Sequence, residues 1–438
     1  LRTLSRQLNL TAAEFYDRYA QSDTHILVGS SFLFDRNHHR LLGDLTADEV
    51  RPHLDAILTL AHNDTLTRFP AADCAARTND LFATYQSELD TLYADNPGTL
   101  AELYRRWLRP KLPATAITLS SEAMALGRHR EHLTALELFT ANYDLAAGLY
   151  NRAVAEIPLG VHPIDIDAGE LPFYAILRRE GRMVRCECRL DAGEVCFGDT
   201  AIPLKKNGTL DVAAFENAGV IALCGKAVLL VLQARLLPGG KPLALPDHGS
   251  IYMPVAHRFA ELAAEAGLLP GQLAPIARVH FHLLDRLGEI DTPLTLPGHL
   301  ARFTAQSETT TSRLASHYRQ WVADANQQLS LYRQAETLAE KLQQFDPSCA
   351  ARLKSMRNAQ RRLAMQSGEP AELRRHGQAI RQTESALLAD LIRHLVDCQQ
   401  VAEIEFYNSR GSIQPWCIAA GGEPLYRAVI TQTTFTRE

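Results

Sequence analysis

Residues 236–259 read LLPGGKPLALPDHGSIYMPVAHRF, and this stretch decides the expected fold of the middle of the chain. Pro238 and the two glycines after it end a long apolar helix. PLALP is short, apolar and bounded by turn residues, which is typical of a buried strand. DHGS then places helix-capping residues directly before the next amphipathic segment. The stretch therefore predicts a helix, a strand and a second helix in succession.

The flanking segments continue this alternation. A helix is predicted from about residue 225 to residue 237 and another over residues 251–266, and ARVHFHLL (277–284) is typical of a strand. Strands that alternate with helices indicate a parallel sheet, whose ligands bind at the carboxyl ends of its strands. We therefore expect an α/β fold with a Rossmann-like core in this part of the chain.

Three other parts of the chain have their own patterns. Residues 1–155 show apolar spacing near 3.6, which predicts a mostly helical N-terminal region. From Leu171 the period changes to two, so residues 156–301 are expected to combine a small antiparallel sheet with the α/β core. Residues 402–438 return to mixed strand and turn, and we expect this C-terminal segment to pack on the core.

Residues 302–401 have apolar side chains at alternating spacings of three and four. Breaks at DPS (346–348) and GEP (368–370) divide this region into helices. The pattern predicts an antiparallel helical hairpin, a coiled coil whose remaining apolar surface could pair with a second copy as a homodimer.

Composition and overall charge argue against several classes of protein, although they do not address local charged patches. The chain of 438 residues has 46% apolar and 22% charged residues, as expected of a globular protein. Its net charge of -5 argues against a general nucleic-acid binder, and no run of 18 apolar residues predicts a membrane span. Eight scattered cysteines suit a reducing compartment, and the first residues lack a signal-peptide pattern, so we expect a cytoplasmic protein.

The turn at DHGS is a candidate binding site for an anion or carboxylate. Asp247 or Ser250 would cap the helix that follows, and Gly249 would let a ligand approach its exposed backbone amides. Helix capping alone explains Asp and Ser equally well. The density of further polar residues around this turn favours a site, and these residues are Lys226, Arg235, His248 and Tyr252.

A second candidate lies along ARVHFHLL. Arg278, His280 and His282 alternate, so they are expected to project from one face of a strand, with Asp285 just beyond its end. Such a set would suit an anionic ligand at the carboxyl edge of a parallel sheet, and histidine can exchange protons near neutral pH. An edge strand with its polar side in water explains the pattern equally well.

Two sets of metal-binding residue types are better explained without a metal. Cys186 and Cys188 would share one face of a strand, and with Cys196 they are interpreted as core residues rather than a zinc site. His38 and His39 are adjacent, so their side chains diverge, and a solvated surface explains them better than a chelate. No metal site is therefore predicted.

The order of features resembles bacillithiol synthase, a cysteine-adding ligase, and its unassigned bacterial homologues, over about residues 140–438. The similar pieces are YNRAVAEI, LPFYAILRREGRMVR, GKAVLLVLQARLLPGGKPLALPDHGSIY and IARVHFHLLD, followed by a coiled coil and a short terminal piece. The resemblance implies a Rossmann-like core with substrate and nucleotide-type pockets, for which ATP or ADP is the candidate nucleotide. It also implies a coiled coil that pairs subunits.

The resemblance and the candidate residues together predict a ligase that joins an amino acid or thiol-bearing carboxylate to an amine. Gly249 and Ser250 would offer backbone donors, and His248 or His280 would move the proton. Anionic groups of the substrate would be held by Lys226, Arg235 and Arg278.

A hypothesis of a different class is a noncatalytic binding or assembly protein. The family's Gly-Gln-rich turn and acidic-His segment are not found in residues 1–130, whereas the helical hairpin spans nearly a hundred residues. In this hypothesis the hairpin recruits a partner.

Overall fold

The structure is a computed structural model that describes residues 40, 43–112, 126, 130–180, 182–236, 243–246, 252–269, 273–366, 369–409 and 412–437. Of these residues, 65% are helical and 15% lie in strands. They divide into two compact units, which we call the helical unit (57–85 and 281–432) and the sheet unit (40–56, 86–280 and 433–437).

Strands are short and few in the described parts of the chain. In chain order they are β1 (Glu170–Arg179), β2 (Arg182–Asp191), β3 (Glu194–Phe197), β4 (Thr200–Pro203), β5 (Val220–Gly225), β6 (Leu243–Pro246), β7 (Ile276–His280), β8 (Pro293–Thr295), β9 (Glu308–Thr310) and β10 (Thr434–Arg437).

Helices make up most of the rest. They are α1 (Ala47–Arg68), α2 (Ala72–Ala94), α3 (Leu100–Leu108), α4 (Arg130–Ala141), α5 (Tyr143–Glu156), α6 (Val212–Asn217), α7 (Ala227–Arg235), α8 (Met253–Glu265), α9 (Leu283–Arg286), α10 (Gly298–Thr304), α11 (Thr311–Gln334), α12 (Leu338–Phe345), α13 (Pro347–Met365), α14 (Pro370–Ala402) and α15 (Ile413–Thr431). Short 3-10 turns occupy Arg109–Lys111, Leu287–Glu289 and Ile404–Ser409.

The sheet unit contains an antiparallel sheet in the order β4-β3-β2-β1-β5. Alternation along β1 turns Phe173, Ala175 and Leu177 inward, where they are buried in one core with side chains of α4, α5, α7 and α8. The small antiparallel sheet expected from the period of two is therefore confirmed. The predicted helices at 225–237 and 251–266 are confirmed as α7 and α8, within a few residues.

The predicted α/β fold with a Rossmann-like core is wrong for the described residues. Three separate small sheets are present there, and β6 with β7 is the only parallel pair among their strands. The other neighbour of β7, β10, pairs with it antiparallel. The physical reason is the pairing of β5. This strand precedes α7 but pairs antiparallel with β1 instead of lying beside β6, so the alternation of strand and helix does not build one parallel sheet.

The helical unit is organised around α14, which packs on α10, α11, α12 and α13. Both predicted breaks are confirmed, because α12 ends at Phe345 before α13 and α13 ends at Met365 before α14. The apolar positions expected to line the helix contacts are largely buried, including Ala325, Ile380 and Leu391. β8 and β9 form a two-stranded antiparallel ribbon in the same unit.

The C-terminal segment differs from the expectation of strands and turns. Residues 413–431 are helical as α15, with an interruption at Gly422, where φ is +70°. Arg77 stabilises this interruption by donating hydrogen bonds to the carbonyl groups of Ile418 and Ala419, both at 3.1 Å from its Nε. Only residues 434–437 are extended, as β10.

The described part of the N-terminal region is mostly helical, as predicted. Of residues 1–42, the structure describes only Arg40. The division of the chain at residues 155, 301 and 401 stays a prediction. Among the helices that the structure describes, none is both long and apolar enough to cross a lipid bilayer.

Candidate functional site

Lys226 lies directly before α7, and its ammonium group faces two carboxylates. Its Nζ is 2.5 Å from Glu170 Oε1 and 3.8 Å from Glu187 Oε1. Burial opposes the charge of Lys226, but the hydrogen bond and attraction of Glu170 outweigh it and raise the pKa of Lys226. Burial likewise opposes the charge of Glu170, but Lys226 and the backbone N–H of Asp165 lower its pKa. Lys226 is therefore held by an internal ion pair.

Tyr174 completes this cluster on the outer face of the sheet. The Arg185 guanidinium carbon is 4.6 Å from the centre of the Tyr174 ring, and Lys226 Nζ is 5.3 Å from it. Strand register explains the grouping, because Tyr174 lies opposite Glu187 on β2 and opposite Cys224 on β5. The residue pattern alone did not predict this cluster. The period of two places Tyr174, Arg185 and Glu187 on exposed faces, but it does not give the register that joins them.

Arg235 ends α7 and anchors the segment that leads into β7. Its Nε donates to the carbonyl oxygen of Ala274 at 2.7 Å, and the backbone N–H of Ala274 donates to the carbonyl oxygen of Arg235 at 3.0 Å. Lys226 and Arg235 lie at opposite ends of one helix, roughly 13 Å apart along its axis. The structure therefore does not bring these two predicted anion-binding residues together.

Arg278 and His280 lie on β7, the middle strand of the order β10-β7-β6. Arg278 is only 6% exposed and lies opposite Leu245 of β6. His280 Nε2 is 3.2 Å from Thr436 Oγ1 of β10. The alternative of an edge strand with its polar side in water is wrong, because β7 has a neighbour on each side and Arg278 is buried.

The prediction that Arg278, His280 and His282 project from one face of a strand is wrong for His282. β7 ends at His280, and His282 is the residue before α9 in the helical unit. Its Nδ1 is 3.9 Å from Asp285 Oδ2. The strand ends there because Leu283 and Leu284 are fully buried as the first turn of α9, and the backbone N–H of Leu284 donates to Asn408 Oδ1.

The other predicted residues of the turn lie mostly outside the described residues. This applies to Asp247, His248, Gly249 and Ser250, and to the histidine pair at residues 38 and 39. Tyr252 is described. It lies at the residue before α8 and is 36% exposed.

The cysteines of β2 and β3 are core residues, as their alternation predicts. Cys188 and Cys196 are buried, and Cys186 packs against the same core. Burial is the main cause that raises the pKa of Cys188 to about 12, so its thiol is neutral at physiological pH. No group of three or more metal-ligating side chains occurs within the described ranges.

A buried polar cluster lies on the C-terminal half of α14. Cys398 Sγ donates to Gln328 Oε1 at 3.4 Å and is 3.6 Å from His394 Nε2. Burial raises the pKa of Cys398 to about 12 and lowers the pKa of His394. Because both groups stay neutral near pH 7, this pair is poorly suited to act as a thiolate nucleophile. Beside it, Arg302 forms a two-point ion pair with the buried carboxylate of Asp397, with both N–O distances 2.8 Å.

The N-terminal half of α14 forms a different surface. From here on, the hairpin means α13 together with residues 370–386 of α14, which is a shorter segment than the helical hairpin predicted over residues 302–401. Its two helices meet along a narrow apolar seam, in which Leu353 and Ile380 are buried and Met356 is partly buried. Among the described elements α13 packs mainly on α12 and α14, and most of its residues are exposed, with Leu353 the one buried side chain. That exposed surface is rich in arginine.

The hairpin arginines were not among the residues selected from the sequence, although the signal was available. Residues 347–381 contain eight Arg and Lys but two Asp and Glu, a net charge of +6 in a chain whose total is -5. The net charge of the whole chain does not reveal this basic segment, because acidic residues elsewhere outnumber its cations. No protein-family model, curated protein or solved structure matches the chain.

Proposed function

We propose that the protein is a binding or assembly protein that recruits an acidic partner through the hairpin. The observation that carries this proposal is the contrast along α14, whose C-terminal half is largely buried while its N-terminal half lies against α13 and presents exposed arginines. An arginine-rich surface attracts anionic groups and can bind them through paired hydrogen bonds.

The test is retention of the full-length protein on immobilised heparin, a generic polyanion. The triple variant Arg361→Gln/Arg374→Gln/Arg381→Gln should elute at clearly lower salt than the wild type, because the loss of three charges weakens the electrostatic contact. The matched control removes three other exposed arginines of the helical unit, Arg313→Gln/Arg333→Gln/Arg427→Gln. Identical elution of the two variants would refute a binding role for the hairpin.

A second candidate function is the cysteine-adding ligase activity that the resemblance to bacillithiol synthase implies. One observation favours it. Arg278 is buried on β7 beside the parallel strand β6, with His280 two residues later, and both belong to IARVHFHLLD, one of the pieces that resemble the family. Lys226 lies against Glu170, and the Arg235 side chain donates to the carbonyl of Ala274, so the three predicted cations do not form one site and the ligand tests use Arg278 and His280.

Ligand binding separates this candidate from the first. Thermal-shift measurements with nucleotides, amino acids and other carboxylates should identify a stabilising ligand, since a ligand at a hundred times its dissociation constant adds about 2.7 kcal/mol. Calorimetry should then show that Arg278→Lys weakens the binding of that ligand. Unchanged affinity in Arg278→Lys and His280→Ala for every anionic ligand that binds the wild type would remove the site.

A further inference from the structure

The cations of the hairpin are concentrated on one side. Lys354, Arg357 and Arg361 follow each other at helical spacings of three and four, so they share a face of α13. Arg374 and Arg381 are seven residues apart and share a face of α14. All five side chains belong to exposed residues.

Two contacts place these faces side by side. Arg357 of α13 forms an ion pair with Glu384 of α14 at 2.8 Å. A Cβ atom at Gly377 would lie 3.0 Å from Gln360 Nε2 of α13 and 3.7 Å from Arg381 Nη1. Arg381 therefore lies at the same edge of the helix pair as Arg357. We call the surface formed by Lys354, Arg357, Arg361, Arg374 and Arg381 the basic face.

Most of the basic face is not neutralised. Glu384 pairs with Arg357, but within the described ranges no carboxylate lies within ion-pair distance of the other four cations. The remainder of the chain carries a net charge of -11, since the total is -5 and residues 347–381 contribute +6. The hairpin is therefore a strongly basic segment in a chain that is otherwise acidic on average.

We infer that the basic face binds the phosphate backbone of a nucleic-acid duplex without reading its sequence. This inference rests on the proposed function and names the partner. Seven of the eight cations between residues 347 and 381 are arginine, whose planar guanidinium matches two phosphate oxygens. Lys354 and Arg361 are about 10 Å apart along α13, a length over which a duplex presents about six phosphate charges.

The same surface is poorly suited to other polyanions. No Phe, Tyr or Trp occurs from residue 346 to residue 405, so the hairpin lacks the aromatic platform on which unpaired bases stack. A helix that lies on an anionic membrane also needs an exposed apolar face. The large apolar side chains of the hairpin serve the seam, and among those described only Met365, which is 86% exposed, faces solvent.

The experiment measures fluorescence anisotropy of labelled random-sequence 24-base-pair DNA and RNA duplexes, titrated with the full-length protein between 50 and 200 mM salt. Four phosphate contacts should give a slope of log affinity against log salt of about -3.6, which weakens binding roughly a hundredfold over that range. Arg361→Gln/Arg374→Gln/Arg381→Gln should lose about 2.7 of that slope, while Arg313→Gln/Arg333→Gln/Arg427→Gln keeps it.

Each other outcome overturns the inference in a recognisable way. Tighter binding to a single strand of the same length would point to base stacking, and binding only to vesicles with anionic lipid would point to a membrane. Heparin retention that depends on the hairpin without duplex binding would overturn the nucleic-acid partner alone. If the protein neither binds the duplexes nor shows heparin retention that depends on the hairpin, the proposed function is overturned as well.

Discussion

The two halves of α14 lie in one continuous helix but have opposite surroundings. In residues 370–386 the only buried side chain is Ile380, whereas residues 387–402 bury nine. In the C-terminal half Asp397 contacts Arg302 of α10 and Cys398 contacts Gln328 of α11, whereas in the N-terminal half Glu384 contacts Arg357 of α13. Helix formation alone does not distinguish them, because both halves have the same apolar period. The difference lies in how many elements surround each half.

This difference separates stability from binding. In the C-terminal half, removing a side chain leaves a cavity or an unpaired buried charge, which is costly. In the N-terminal half, most side chains are already solvated and can be exchanged at little cost. Four sets of substitutions test this separation.

Leu391→Ala should destabilise the protein by about 3 kcal/mol, because Leu391 is fully buried and its loss leaves a cavity. Leu373→Ala, in the partly exposed N-terminal half, should cost about 1 kcal/mol or less. Urea unfolding followed by circular dichroism measures both. Equal losses for the two variants would contradict the contrast between the halves.

Arg302→Ala should cost about 2 kcal/mol, because it leaves the Asp397 carboxylate buried without its two-point partner. The control is Asp390→Asn, which breaks an exposed ion pair with Arg393 and should change stability by less than about 0.5 kcal/mol. The same unfolding assay compares the two. If Asp390→Asn destabilises the protein as much as Arg302→Ala does, the burial of Asp397 does not explain the loss of stability in Arg302→Ala.

Cys398 should make stability depend on alkaline pH. Its folded pKa is raised to about 12 by burial, whereas an unfolded thiol ionises near pH 8.5. Its contribution is therefore fully present below about pH 8.5 and is lost as pH rises toward 12. Between pH 7 and pH 10 the wild type should lose on the order of 1 kcal/mol more than Cys398→Ala. Cys349→Ala, at a partly exposed thiol, should behave as the wild type, and a Cys398→Ala variant with the full alkaline loss would disprove this account.

The smallest effect is expected on the basic face. Arg361→Gln/Arg374→Gln/Arg381→Gln should unfold within about 0.5 kcal/mol of the wild type, because these exposed side chains form no ion pairs with described residues. Differential scanning calorimetry provides an independent measure. A large loss would mean that the arginines hold the hairpin together, and the binding experiments would then need single substitutions.

Much of the local structure could be predicted from residue patterns. The period of two identified β1 to β4 and the inward cysteines, and the turn residues at DPS and GEP marked the ends of α12 and α13. ARVHFHLL was misread beyond His280, since a strand and the buried start of α9 look alike over a few residues. The helix α15 was missed because its two glycines and Pro424 are typical of a loop, although the structure places them at an interruption within helical segments.

The candidate site was harder to predict than the elements. Lys226, Arg235 and Arg278 were grouped because they are basic and near one turn, but charge does not reveal the partner of a side chain. Glu170 is 56 residues from Lys226, and Ala274 is 39 residues from Arg235. Such long-range partners depend on strand register and packing, which periodicity does not encode.

Residue order and chemistry alone are sufficient to set which segments become helix or strand, which faces are apolar and where positive charge accumulates, because these properties act over a few neighbouring residues. Folding in three dimensions was needed to pair β5 with β1 instead of β6, to neutralise Lys226 and to bury one half of α14 while exposing the other. Those outcomes depend on contacts between distant segments, whose free energies compete and are settled only when the whole chain packs.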